Sequence, residues 1–179
     1  MNKDIFKICF TGVMLALAVV LSVFCQIRLF GDIRLDLSYM VIVVMCYAYG
    51  ALVGGMFATG VALFNSAFFS SYGVSVSWMA ANVIIGMITG LVLHYIKVKK
   101  TWLKIVIDLS AIIVSCAIGL LFTKTIIECN LYNIPFEVKI IKNLVAFGSD
   151  TALMIVGYFV LLPVYKRFVE KKLEQKTSN

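Results

Sequence analysis

Trp78, Asn82, Gly86 and Gly90 recur every fourth residue in a stretch without charge, so on a helix they share one face. The first two suit recognition chemistry. An indole offers a flat face for stacking and one N–H, and a carboxamide both donates and accepts. Gly86-x-x-x-Gly90 is the small-residue spacing that lets helices approach closely. Just before them, "SYGVSVSW" (71–78) gathers Tyr72 and three serines, hydrogen-bonding groups without charge. The corresponding structural reading is an interfacial tryptophan of the aromatic belt and an asparagine bonding a neighbouring helix. A second face carries Asn143, Phe147, Asp150 and Met154, spaced four, three and four apart. A carboxylate inside an apolar helix is costly and by default faces protein or a cavity. There Asp150 can accept from a ligand N–H or pair with Arg34; a helix-packing or proton-linked carboxylate is the alternative. Asn65 is another uncharged polar group in an apolar run.

Catalytic constellations are missing. The single histidine, His94, sits beside Tyr95 and Lys97 at the edge of an apolar run, the position of a boundary residue rather than a base. There is no HExxH, GxSxG, glycine-rich phosphate loop or paired intramembrane carboxylate. Cys9, Cys25, Cys46, Cys116 and Cys129 are scattered, without CxxC or Cys/His spacing, and read as small hydrophobes; no metal or cofactor is expected. These features argue against an enzyme and for a binding protein.

The elements that must carry these residues follow from composition. The chain is 62% hydrophobic and 14% charged, too few charges to cover a soluble surface. No Asp, Glu, Lys or Arg occurs in the 60 residues 37–96. One helix of that length would run about 90 Å against a hydrocarbon core of about 30 Å, so the segment crosses lipid more than once. Lipid-exposed strand edges would leave backbone groups unpaired, so the fold expected is an all-α integral membrane bundle.

Apolar runs at 5–27, 37–49, 51–69, 78–96, 102–122 and 140–165 predict six transmembrane helices in one membrane domain spanning 1–179. Gly50, Gly54 and Gly55 mark the break between the second and third. "MNKDIFK" followed by an apolar run and "ALA" has the form of a secretion signal, but the run continues to Ile27 and reads as a first span. With both termini cytoplasmic, eleven basic residues fall inside and five outside, the positive-inside bias. The net charge of +7 is then a topology signal and no nucleic-acid footprint.

On that topology the outer face carries the elaborated loops: 26–36, 71–77 and the longest, near 122–139. Asp108, close to Lys104 and the cytoplasm, is expected to be solvated. The tail "KRFVEKKLEQKTSN" reads as the polar end of the last helix. The chain contains no ATPase and no second half for alternating access, so it works as an oligomer or with a partner.

Several stretches resemble the substrate-binding (S) subunits of energy-coupling factor transporters, with the riboflavin-type and queuosine-precursor-type subgroup nearest. "IRLDLSYMVIVVMCYAYGALVGGMFATG" (33–60) is similar to the family's outer loop, short second helix and glycine-marked turn. "YGVSVSWMAANVIIGMITG" (72–90) resembles its tryptophan-bearing loop entering the fourth helix. "IPFEVKIIKNLVAFGSD" (134–150) resembles the approach to the last helix, and "GVMLA" (12–16) the small-residue motif used against the coupling subunit.

The resemblance implies a multi-pass protein of a prokaryotic plasma membrane that captures a vitamin-like, flat heteroaromatic ligand from outside. It also implies a membrane coupling (T) subunit and two cytoplasmic ATPases as partners, which use the ATP. Carried over by position, Gly12 and Ala16 contact the coupling subunit. Arg34, Asn65, Tyr72, Trp78, Asn82, Asn143 and Asp150 line the ligand site. A self-sufficient small secondary transporter or channel, working as a homo-oligomer with Asp150 as a proton or cation site, is the competing reading.

Overall fold

The structure is a computed structural model that describes residues 3–24, 27–30, 33–69 and 74–170; the side chains of 3, 4, 6, 24, 27–30, 33–35, 69, 169 and 170 fall outside that description. In chain order its elements are α1 (Lys3–Phe24), β1 (Ile27–Phe30), β2 (Ile33–Leu35), α2 (Ser38–Phe69), α3 (Val76–Tyr95), α4 (Thr101–Cys116), α5 (Thr125–Tyr132) and α6 (Phe136–Tyr165). Among the described residues four helical stretches are long and apolar enough to cross a membrane: Ser38–Phe68, Val76–Tyr95, Thr101–Tyr132 and Phe136–Phe168. A shorter apolar helix occupies Lys7–Val23. The all-helical expectation needs one addition. The segment after α1 forms a small antiparallel hairpin, β1 with β2, in which Arg28 stands opposite Arg34 and a bulge lies between Arg28 and Phe30.

Helix α2 is not straight. At Gly50 the backbone adopts φ 80° and ψ −164°, a conformation closed to L side chains but open to glycine. The two limbs, 38–49 and 51–69, fold back on each other: a Cβ at Gly54 would lie 2.8 Å from the Cys46 sulfur, and Asn65 reaches Asp36. The break expected among Gly50, Gly54 and Gly55 therefore falls on Gly50, while Gly54 and Gly55 serve packing. Limb 38–49 is only about 18 Å long by helical rise, and its residues 41–46 are fully buried by the surrounding helices.

Helix α3 lies against both limbs with almost no space between backbones. A Cβ on Gly86 would stand 2.5 Å from the Gly54 carbonyl oxygen, and one on Gly90 2.6 Å from that of Gly50. The Gly86-x-x-x-Gly90 stripe is thus a backbone-to-backbone seam, which replaces the hydrophobic drive that lipid cannot supply. The Cys46 thiol adds a hydrogen bond to the Gly86 carbonyl at 3.4 Å.

Beyond Cys116 the chain does not leave the bundle. It runs as a π-helix over Ala117–Lys124 and then as α5 to Tyr132. The long loop expected near 122–139 is therefore corrected to three residues, 133–135. Asn133 takes a left-handed conformation (φ 51°) that ends α5, and Pro135 precedes the first turn of α6. Lys124 and Glu128 are charges that interrupt an otherwise apolar stretch. Glu128 is in fact buried against a lysine. Helix α6 is pressed onto α2, since a Cβ on Gly157 would meet Met40 Cα at 2.6 Å; beyond Tyr165 it continues as a π-helical turn, Lys166–Glu170. Residues 171–179, including most of the basic tail, lie outside the described residues.

Candidate ligand-binding site

At the hairpin end of the bundle the first turns of α2 and α3 meet. Ser75 caps α3, its Oγ accepting from the Trp78 amide at 3.4 Å, so Trp78 sits in the first turn, where its side chain reaches sideways to α2. The indole Nε1 donates to the Tyr39 hydroxyl at 3.3 Å. That leaves the Tyr39 O–H free to give, and Asp150 on α6 is within electrostatic reach of it. Asn82, one turn on, is buried and gives Nδ2 to the Trp78 carbonyl at 3.0 Å. The carboxamide thus fixes the helix beneath the ring.

A second knot lies beside Tyr39. Asp36 precedes α2 and caps it, Oδ1 accepting from the Ser38 amide at 3.0 Å and from Ser22 Oγ of α1 at 2.5 Å. Asn65, on the returning limb, donates Nδ2 to Asp36 Oδ2 at 3.0 Å and to Ser22 Oγ at 2.9 Å. One carboxylate thereby ties α1 to both limbs of α2. Three buried polar atoms here, Asn65 Oδ1, Ser38 Oγ and Ser66 Oγ, have no partner among the described residues. Buried polar groups are rarely left so, and such atoms are where a water or a ligand group is expected.

Asn143 belongs to a third cluster. Its Nδ2 bonds Thr125 Oγ1 at 2.9 Å and Glu128 Oε2 at 3.4 Å; Glu128 is further held by Lys139 at 3.1 Å and by Ser77 Oγ at 3.1 Å. Ser77 neighbours Trp78, so this network flanks the same first turn of α3 from the α5–α6 side. Residues 117–124, whose wider π turn sets Gly119 against Ala81, form the adjoining wall. A Cβ on Gly119 would lie 2.9 Å from the Ala81 carbonyl oxygen, one residue from Asn82.

Four residues singled out in the sequence, Asn65, Trp78, Asn82 and Asp150, thus gather around Tyr39 and Asp36, and Asn143 stands behind them. Arg34 is placed on β2 by its backbone, its side chain outside the described residues; Tyr72 also lies outside them. The sequence reading missed Asp36, Tyr39, Ser22 and Glu128; Ser77 is one of the three serines it grouped with Trp78. Asp36 had a signal, as the last charge before the 60-residue gap, and so had Glu128, an acid in a mostly apolar stretch. Tyr39 had none, because an aromatic residue in an apolar run looks like any other.

Asp108 is also corrected. It is buried, paired with Lys104 at 2.7 Å and accepting from the Tyr158 hydroxyl at 3.0 Å. It lies toward the Gly50 end and ties α4 to α6. On α1, Gly12 and Ala16 face away from the bundle: a Cβ on Gly12 would meet nothing within 4 Å, and Ala16 is exposed, whereas Ala18 and Ser22 on the opposite side are buried.

A bundle with a doubled-back second helix, a glycine seam and a polar cluster under a short hairpin has the fold of a transporter S component. It superposes on the crystal structure of the S-component for biotin from an ECF-type ABC transporter with a TM-score of 0.62, over 93% of this chain and 95% of that one, at 17% identity. The sequence goes further. The family model for the ECF-type riboflavin transporter S component matches residues 2–167, and the chain belongs to that family. Among curated proteins none matches it by sequence. The protein is therefore a substrate-binding subunit of an ECF transporter, a multi-pass membrane protein and not an enzyme.

Proposed function

We propose that the chain captures a riboflavin-like, flat heteroaromatic vitamin at the hairpin end of the bundle and delivers it to an ATP-driven importer. The observation that carries this reading is the meeting of Trp78 with Tyr39 beside buried acceptors that lack partners. The half-buried Trp78 ring can stack an aromatic ligand, and Asn65 Oδ1, Ser38 Oγ and Ser66 Oγ can answer its polar edge. Arg34, on β2, and Tyr72 complete the site in this reading, with Asn82, Asn143 and Asp150 supporting it.

In the same reading the chain crosses a prokaryotic plasma membrane six times, with the two limbs of α2 as separate spans and both termini in the cytoplasm. Its outward face of α1, with Gly12 and Ala16, rests on a membrane coupling subunit bound to two ATPases. These hydrolyse the ATP; the chain itself carries no cofactor. The stand-alone transporter is the reading to be excluded.

The test is titration of the detergent-purified protein with riboflavin, followed by quenching of tryptophan fluorescence and by the flavin that stays bound through gel filtration. Saturable quenching at one flavin per chain, weakened by Trp78→Ala, is the expected result. No quenching, together with uptake that persists in cells lacking coupling and ATPase subunits, would overturn the proposal in favour of a self-sufficient carrier.

A further inference from the structure

The ligand reading leaves one cavity unused. It opens at the Gly50 end, about 24 Å along α3 from Trp78 by helical rise, and has a volume of about 200 Å³. Tyr47, His94, Lys97, Lys104 and Tyr165 contribute to its lining. His94 Nδ1 lies 2.8 Å from the Tyr47 carbonyl oxygen, which can only accept, so Nδ1 donates and the ring is fixed in the wall. Lys104 is spent: its ammonium holds Asp108 at 2.7 Å and donates to the carbonyls of Leu93 and Val92 at 3.2 and 3.4 Å.

Lys97 differs. It is exposed on the lining and pairs with no carboxylate among the described residues. Lys166 is not part of the lining, but its Nζ stands 4.5 Å above the ring of Tyr47, which is. Lys99, Lys100 and Arg167 add exposed positive charge at this end. Beside them Trp102 and Tyr95 are 79% and 64% exposed, rings of the kind that settle at the headgroup level of a bilayer.

We propose that this cavity holds the phosphate of an anionic membrane phospholipid, with Lys97 as its contact and Lys166 as the nearby counter-charge. The phosphate comes from a lipid because the exposed rings set the cavity mouth at headgroup depth. Exposed Leu103 and Ile96 beside it offer a surface for the acyl chain. Surplus cations at such a mouth favour an anionic headgroup over a zwitterionic one.

Native mass spectrometry of the whole chain released from nanodiscs of phosphatidylglycerol or phosphatidylcholine tests this. The wild type should retain one phosphatidylglycerol, roughly fivefold in preference to phosphatidylcholine. Lys97→Gln should abolish that preference, Lys97→Arg should restore it, and Lys142→Gln at the hairpin end should leave it unchanged. Recovery in Lys97→Arg separates a lost contact from a misfolded chain. Equal retention of the two lipids, or the same loss in Lys142→Gln, overturns the proposal. So does displacement by millimolar inorganic phosphate, which would assign the cavity to a soluble anion.

Discussion

In the proposed function Trp78 makes two separable contributions, one through its ring face and one through Nε1. Trp78→Phe keeps a ring and removes only the bond to the Tyr39 hydroxyl, so affinity should fall by roughly fivefold, the worth of one neutral hydrogen bond. Trp78→Ala also removes the stacking surface and should cost at least about tenfold. Calorimetric titration with the flavin distinguishes the two. Equal losses would mean that Nε1 alone matters and that the ring does not touch ligand. At the other end, buried Asp108 is held by the half-buried Lys104 and by Tyr158, so removing the lysine leaves a buried carboxylate with one neutral partner. Lys104→Met should lower stability by about 3–5 kcal/mol, and the double variant Lys104→Met/Asp108→Leu should recover most of it. Thermal unfolding in detergent reads both.

Helix α2 works because it is broken. Gly50 supplies the left-handed turn, and Gly54, Gly86 and Gly90 let the returning limb and α3 touch through their backbones. Gly50→Ala forces a Cβ into a positive-φ conformation that is essentially reserved for glycine, at about 1–3 kcal/mol. It also crowds His94 and Tyr95, whose nearest atoms would lie 3.2 Å away. Gly86→Ala meets the Gly54 carbonyl oxygen at 2.5 Å, a backbone atom that cannot rotate aside, and should cost about 1–3 kcal/mol as the limb is pushed off. Gly12→Ala, with open space around it, should be silent in the same melting experiment. The seam was legible in the sequence as Gly86-x-x-x-Gly90. Its counterpart on α2 was read only as a turn, because four-residue spacing shows which residues share a face but not what faces them.

For the molecule as a whole, the two faces of α1 differ, and the proposed function gives each its own role. Ala18 and Ser22 are buried in the bundle, and Ser22 enters the Asp36 knot; Gly12 and Ala16 lie open on the other side. Gly12→Leu should therefore leave flavin affinity of the isolated chain unchanged while abolishing uptake in cells that carry the coupling and ATPase subunits. Loss of affinity to the same degree would count against an interface on this face. The knot runs the opposite way. Asp36→Ala removes the acceptor that joins α1 to both limbs of α2, so it should weaken binding and lower the melting temperature together.

Membrane residence and helicity followed from composition, because lipid cannot satisfy an open backbone and 60 uncharged residues cannot be covered by water. The small-residue motifs and the candidate residues Trp78, Asn82, Asn65 and Asp150 were likewise legible, since a polar group is conspicuous in an apolar run. Three things were not. Tyr39 as the partner of Trp78, Glu128 as the centre of the Asn143 cluster, and Asp36 as the tie to Asn65 and Ser22 join residues 14 to 51 positions apart. Helical periodicity reaches only a turn or two along the chain. Which faces meet is set by where Gly50 turns α2 back and by how closely glycines let the helices approach. The folded bundle alone sets those contacts, and they decide that Asp108 and Glu128 are buried partners rather than solvated charges.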